Sequence, residues 1–441
     1  PAPRAMTDPK KVDRKKGREL FLTRGCLACH QLGELGQPSR FSGGDLTRIA
    51  AKRPQDFFAR WMTDPARINQ DHRMPLFELS KEEIRNLVAF LQTLDGGKDN
   101  HGSVPPVDLR RLDRGKKLVD AAQCASCHRL PGDQPGRRPS TALSGQSDWD
   151  NSCLLPANAQ HDRPSFTLNE KDQQAIKRFV REVGSGPMSI AARGERLIRE
   201  NNCLACHPRG AAQGLAATAT RAAAADTQLS SLLPAMMPPS LASVGDKLHD
   251  RALTEIISRK HSSRRDYLRV TMPRFVLNDE QLQSIVNHFV TLDRIPKRTE
   301  TAVTPTELDA ITLKAAGSRL VTPDGFGCTS CHQIGDMLPV KAPVNARGPN
   351  LTTLGDHVRR PWFERFVRNP ARIVPRMEMP SVRVAVHGLL DDNVDQQLSA
   401  VWDVLNIRGF QPPRPGPVRV VRYSGQGHER AVMLTDVIRS P

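Results

Sequence analysis

Cys26-Leu27-Ala28-Cys29-His30 decides the reading of this chain, because the same spacing returns three more times. Cys124-Ala125-Ser126-Cys127-His128, Cys203-Leu204-Ala205-Cys206-His207 and Cys328-Thr329-Ser330-Cys331-His332 each place two thiols three residues apart with a histidine directly after. Eight of the nine cysteines are used in this way, and Cys153 stands alone. Working outward, each motif is preceded by a Gly followed three residues later by Leu: Gly17/Leu20, Gly115/Leu118, Gly194/Leu197 and Gly317/Leu320. The Gly-to-Cys distance is 9, 9, 9 and 11 residues, so the repeat holds its register beyond the motif itself.

A Cys-x-x-Cys-His run is the attachment pattern of c-type haem: both thiols form thioethers to the porphyrin, and the adjoining imidazole binds the iron. Zinc ribbons need a second Cys or His pair for each metal, and the chain has no other cysteine pair. Thioredoxin-like pairs belong in a βαβ setting, whereas the flanks here have helical periodicity. Disulfides across three residues would leave four histidines unexplained. The sequence therefore predicts four covalently bound haem c groups, held by Cys26, Cys29, Cys124, Cys127, Cys203, Cys206, Cys328 and Cys331, with His30, His128, His207 and His332 on the irons.

On these residues the chain resembles the class I cytochrome c family repeated four times, to about residue 408. The resemblance implies an all-α fold of four tandem domains, each wrapped around its haem: 1–98, 99–185, 186–298 and 299–408. It also implies an oxidising compartment, periplasmic or extracellular in a bacterium, with a signal peptide already removed. Each unit closes on an amphipathic helix, expected at Leu79–Leu94, Leu168–Val183, Leu277–Leu292 and roughly Leu390–Leu405. Ser80, Asn169 and Asn278, followed by acidic residues, suit helix N-termini. The tail, residues 409–441, has short β-like runs around a Gly-containing turn and reads as a small hairpin or docking segment.

The family takes a methionine as the second iron ligand, from a loop before the closing helix. Met74-Pro75 and Met272-Pro273 hold this place. The parallel runs Asp64-Pro65-Ala66-Arg67-Ile68 and Asn369-Pro370-Ala371-Arg372-Ile373 then select Met379 over Met377. Arg67 and Arg372 are either propionate partners or plain solvated arginines. The second unit departs from the pattern, with Arg163 where a methionine should stand. Cys153 is the preferred ligand there, since a free thiol is a liability in an oxidising compartment. His161, and no protein ligand or another residue, are the alternatives.

The 441 residues carry 64 basic against 47 acidic side chains, a net charge of +17, which ionised propionates on four haems would lower to about +9. Hydrophobic residues make up 38% and aromatic ones 5%, a lean core that buried porphyrin would fill. No apolar run reaches the ~18–20 residues of a membrane span. Closed His/Met irons pass electrons but do not readily bind substrate, so the reading is a relay, alone or as a subunit of a larger redox complex, rather than an enzyme. Its expected partners are acidic redox proteins or an anionic membrane surface, and not nucleic acid. The alternative is a haem enzyme using a His/Cys-ligated or open second haem, similar to thiosulfate dehydrogenases or to peroxidases.

Overall fold

The computed structural model describes residues 12–36, 41–70, 72–94, 108–121, 149, 154, 166, 168–182, 188–260, 263–296, 309–375 and 377–414, and the backbone of 419–425 and 428–434. The chain forms two compact units, Pro1–Lys98 with Ile190–Pro441, and Asp99–Ser189.

In the larger unit one arrangement of helices occurs three times. Helix α1 (Arg14–Thr23) crosses α3 (Lys81–Leu91), with α2 (Gln55–Thr63) between them in sequence. Each crossing is made at a glycine of the repeated Gly/Leu register. A Cβ on Gly17 would overlap the backbone carbonyl of Asn86, so only hydrogen lets the two backbones approach this closely. Phe21, Leu22, Leu87 and Phe90 bury themselves around the contact.

The smaller unit contributes α4 (Leu109–Ala121) and α5 (Glu170–Glu182). Asn169 Oδ1 accepts the Asp172 N–H at 2.9 Å, as its position before an acidic turn predicts. Cys124, Cys127, His128, Cys153, His161 and Arg163 lie outside the described residues.

The second crossing pairs α6 (Ile190–Glu200) with α8 (Asp279–Asp293), after α7 (Asp250–Ile257). The third pairs α9 (Ala310–Leu320) with α11 (Val394–Leu405), after α10 (Arg360–Arg368). Gly194 meets the Ser284 carbonyl and Gly317 that of Ala400, as Gly17 meets Asn86. The closing helices start where side chains satisfy their first N–H groups: Ser80 with Glu83 and Asn278 with Gln281 form reciprocal capping boxes. In the last one Asn393 does the capping, and the helix begins at Val394 rather than near Leu390. Leu390, Asp391 and Asp392 all have φ near +50°, which no α-helix accommodates.

The first, third and fourth motif regions interlock. Leu76 and Arg274 exchange backbone hydrogen bonds of 2.9 and 2.8 Å across the first joint, and Arg18 pairs with Asp226. At the second joint the Arg359 N–H donates to the Lys247 carbonyl at 2.8 Å and the His249 N–H to that of His357 at 3.0 Å. Asp246, 1% exposed, accepts from Arg359 at 2.7 Å and Arg365 at 2.5 Å, so its buried charge is matched across the joint. One apolar core runs through both sides, from Leu197, Ile285 and Val286 to Leu320, Val401 and Val404. The tail strands β3 (Arg419–Gly425) and β4 (His428–Leu434) pair antiparallel, from Arg419 opposite Leu434 to Gly425 opposite His428; the two shorter strands β1 (His30–Gln31) and β2 (Gly44–Asp45) run parallel beside the first motif.

Candidate haem-binding site

A single cavity of about 2030 Å³ runs through the larger unit, well beyond the ~300–1,000 Å³ of one small-molecule pocket. Its wall carries all of Cys26, Cys29 and His30, Cys203, Cys206 and His207, and Cys328, Cys331 and His332. Each motif is aimed by its local backbone. The residue before the first cysteine takes a left-handed conformation, Gly25 at φ 104°, Asn202 at 53° and Gly327 at 75°. Glycine adopts this at little cost, and asparagine is among the side chains that tolerate it best. The chain therefore turns sharply off the preceding helix into one tight helical turn, Cys26–Ala28, Cys203–Cys206 or Cys328–Ser330, which sets both thiols on the cavity.

The three imidazoles are prepared in the same way. His207 Nδ1–H donates to the Pro239 carbonyl at 2.7 Å and His332 Nδ1–H to that of Pro349 at 2.7 Å. His30 reaches the Gly44 carbonyl at 3.3 Å. Because a carbonyl can only accept, the proton sits on Nδ1 and leaves the Nε2 lone pair for a metal. Burial lowers the pKa of all three rings against the raising effect of these hydrogen bonds, which keeps the rings neutral. A Cβ on Gly43 or Gly348 would run into the His30 or His332 ring, so these glycines make room for the imidazoles.

Burial pushes the Cys26, Cys203 and Cys206 thiols up to about 12 and Cys328 to about 11, so none is a thiolate at neutral pH. Such an apolar setting suits neutral thioethers on a porphyrin. Met74, Met272 and Met379 lie on the cavity wall, as does Met377. Trp61 Nε1–H donates to Met74 Sδ at 3.0 Å, and the indole is stacked on Phe57. Met236, with 1% exposure, is a packing residue.

The cavity is apolar but not neutral. Arg53, Arg73, Lys247, Arg264, Arg265 and Arg347 line it, and among the described residues none forms an ion pair with a carboxylate. Arg67 and Arg372, the arginines singled out from sequence, are exposed and off the cavity; Arg67 pairs with Asp64 at 3.0 Å. An apolar cavity wall with paired thiols, imidazoles held through Nδ1, methionine thioethers and, among the described residues, cations without a carboxylate partner has the donor set that a haem with ionised propionates requires.

Sequence reading missed the carbonyl acceptors. Their shared pattern, a Gly or Pro pair followed two residues later by Leu, is present in Gly43-Gly44-Asp45-Leu46, Pro238-Pro239-Ser240-Leu241 and Gly348-Pro349-Asn350-Leu351. It lies at a different distance from the histidine each time, which hides it from a search in fixed register.

The chain matches the cytochrome c family model over residues 14–95, 112–180 and 191–293, together more than half of its length. Over 95 residues it is 27% identical to a cytochrome c oxidase subunit 2 of Alkalihalophilus pseudofirmus, covering 20% of this chain and 28% of that protein. It thus spans less than a third of the relative's length. No solved structure matches. The fourth motif lies beyond the matched spans, yet its glycine crossing, its left-handed residue before the first cysteine and its imidazole–carbonyl bond repeat those of the first and third. A helix-rich fold, recurring haem-attachment motifs and this match make the chain a multidomain member of the cytochrome c family, a haem c protein of electron transfer.

Proposed function

We propose that this is a four-haem relay, with one class I domain around each of the four motifs, at 1–98, 99–185, 186–298 and 299–408. The observation that carries the reading is the common cavity, on which three motifs and Met74, Met272 and Met379 converge. Bound haem supplies an iron that changes oxidation state by one electron. The chain's residues do the rest. Each cysteine pair anchors the porphyrin covalently, and His30, His207 and His332 offer Nε2 from rings locked by a backbone carbonyl. Met74, Met272 and Met379 would supply the second ligands, an arrangement suited to electron transfer rather than to substrate binding. For the remaining haem the sequence gives His128, with Cys153 preferred over His161 or no protein ligand as the second ligand.

The relay is placed in the periplasm or outside the cell, where haem c is attached. The +17 charge favours acidic redox partners or an anionic membrane surface. Among the described residues no helix is long and apolar enough to cross a membrane. The likeness to an oxidase subunit supports a place in a larger redox complex.

Haem quantification and intact mass of the purified protein test the reading. Four covalent haems per chain, all exchanging electrons with a small carrier and giving no turnover of peroxide or thiosulfate, are expected. An unmodified polypeptide mass would overturn it, and turnover would move the protein to the enzymes.

A further inference from the structure

Four of the cations on the cavity wall, Lys247, Arg264, Arg265 and Arg347, gather where the third and fourth motif regions meet. The segment Arg264–Tyr267 belongs to the third region but is tied to the loop of the fourth that carries Pro349. The Asn350 N–H donates to the Arg264 carbonyl at 2.8 Å, Arg264 Nη1 to the Thr352 carbonyl at 2.7 Å, and Tyr267 Oη–H to the Arg347 carbonyl at 2.6 Å. Lys247 is held from the same side by the backbone bond from Arg359, with its ammonium 4.9 Å from the centre of the Trp362 ring. Arg265 lies between the tied residues Arg264 and Tyr267 on the cavity wall, and its charge acts on both His207 and His332.

Among the described residues no acidic group forms an ion pair with this cluster. Asp246 is taken by Arg359 and Arg365. Asp356 acts on Arg264 only at a distance, and Asp266 is exposed. Burial, helped by the neighbouring Arg265, brings Lys247 down to about 7, and burial lowers Arg265 as well. Cations desolvated without a counter-charge are expensive to keep, and a guanidinium fork is built to take a carboxylate.

We infer that Arg265, held between Arg264 and Tyr267 where both are tied to the loop of the fourth region, and Lys247 form a single clamp that binds a propionate from each of two haems, those of the third and fourth motifs. This rests on the haem reading above. Both residues position and tune the haems rather than react. Because an electron added to either haem is stabilised by the same cations, their loss makes both haems harder to reduce.

The experiment is a spectroelectrochemical titration of the intact four-haem protein carrying Arg265→Gln. Two of the four reduction equilibria should shift about tenfold toward the oxidised form, about 59 mV for one electron. The other two should stay in place, and Arg265→Lys should recover most of the shift. Lys247→Gln should move the same pair, and it carries the test if Arg265→Gln does not accumulate. A shift confined to one haem, spread over all four, or absent would overturn the clamp. So would a dependence of the wild-type potentials on exchanging chloride for phosphate at constant ionic strength, since a solution anion would then occupy the site. A haem count other than four in the wild-type protein would instead defeat the functional reading.

Discussion

Gly194 and Gly115 hold the same place in the sequence repeat, and the fold uses them differently. Gly194 lies against the Ser284 carbonyl with no room for a methyl group, while among the described residues a Cβ on Gly115 would meet nothing within 4 Å. The leucine three residues on follows suit: Leu197 is 4% exposed and Leu118 is 60% exposed. The comparison extends to the residue before the first cysteine, where Gln123 stands in place of Gly25, Asn202 or Gly327. A register in sequence thus marks a potential contact, and the contact exists only where a partner helix closes on it.

Substitution at the glycines probes this difference most strongly. Gly194→Ala forces the α6–α8 backbones apart and is expected to cost about 3 kcal/mol in denaturant unfolding, the upper range for overpacking. Gly115→Ala should gain up to about 1 kcal/mol from helix propensity. Equal effects at the two sites would break the comparison.

The proposed iron ligands sharpen it next. Met272→Ala should lower the potential of one haem and leave three unchanged, because removing the thioether withdraws a ligand that favours ferrous iron. In the Asp99–Ser189 unit, Cys153→Ala should abolish a single low-spin thiolate signal in electron paramagnetic resonance. An unaltered spectrum would exclude Cys153 as the ligand there.

A smaller effect is expected at the left-handed turn. Asn202→Val should cost about 1–2 kcal/mol, since a β-branched side chain is strained at positive φ, and Asn202→Gly should not. Asn202 Nδ2 also donates to the Phe41 carbonyl at 2.6 Å and lies 3.8 Å from Cys29 Sγ, so the glycine variant separates conformation from contact.

The smallest effect concerns Glu83. Burial alone would raise its pKa, but hydrogen bonds from Ser80 and the Arg24 guanidinium hold it below the ordinary glutamate range. A depressed carboxylate pKa contributes stability that is present above the unfolded value and lost as pH falls through the folded one. Glu83→Gln, which keeps the helix cap, should cost about 1 kcal/mol or less at pH 7, and nothing once acid has protonated the wild-type side chain.

Motifs, crossing glycines and helix caps were legible in the chain because each is a local pattern: Ser80 and Asn278 cap within three residues of themselves, and Met74 and Met272 announce their loops by a following proline. The acceptors Gly44, Pro239 and Pro349 were not, because loops of unequal length bring them to the histidines. Arg67 and Arg372 stood in register and proved to be solvent-facing, while Arg265 and Lys247 carried no repeat to betray them.

Local chemistry therefore made the attachment motifs and the recurring helices legible, since thiol spacing and helical period act over a few residues. That the first, third and fourth motifs share one cavity, and that cations of two regions meet between them, arose from long-range packing. Burial of apolar faces and backbone pairing at the joints are satisfied only between segments far apart in the chain, and no local pattern encodes which distant partner will be met.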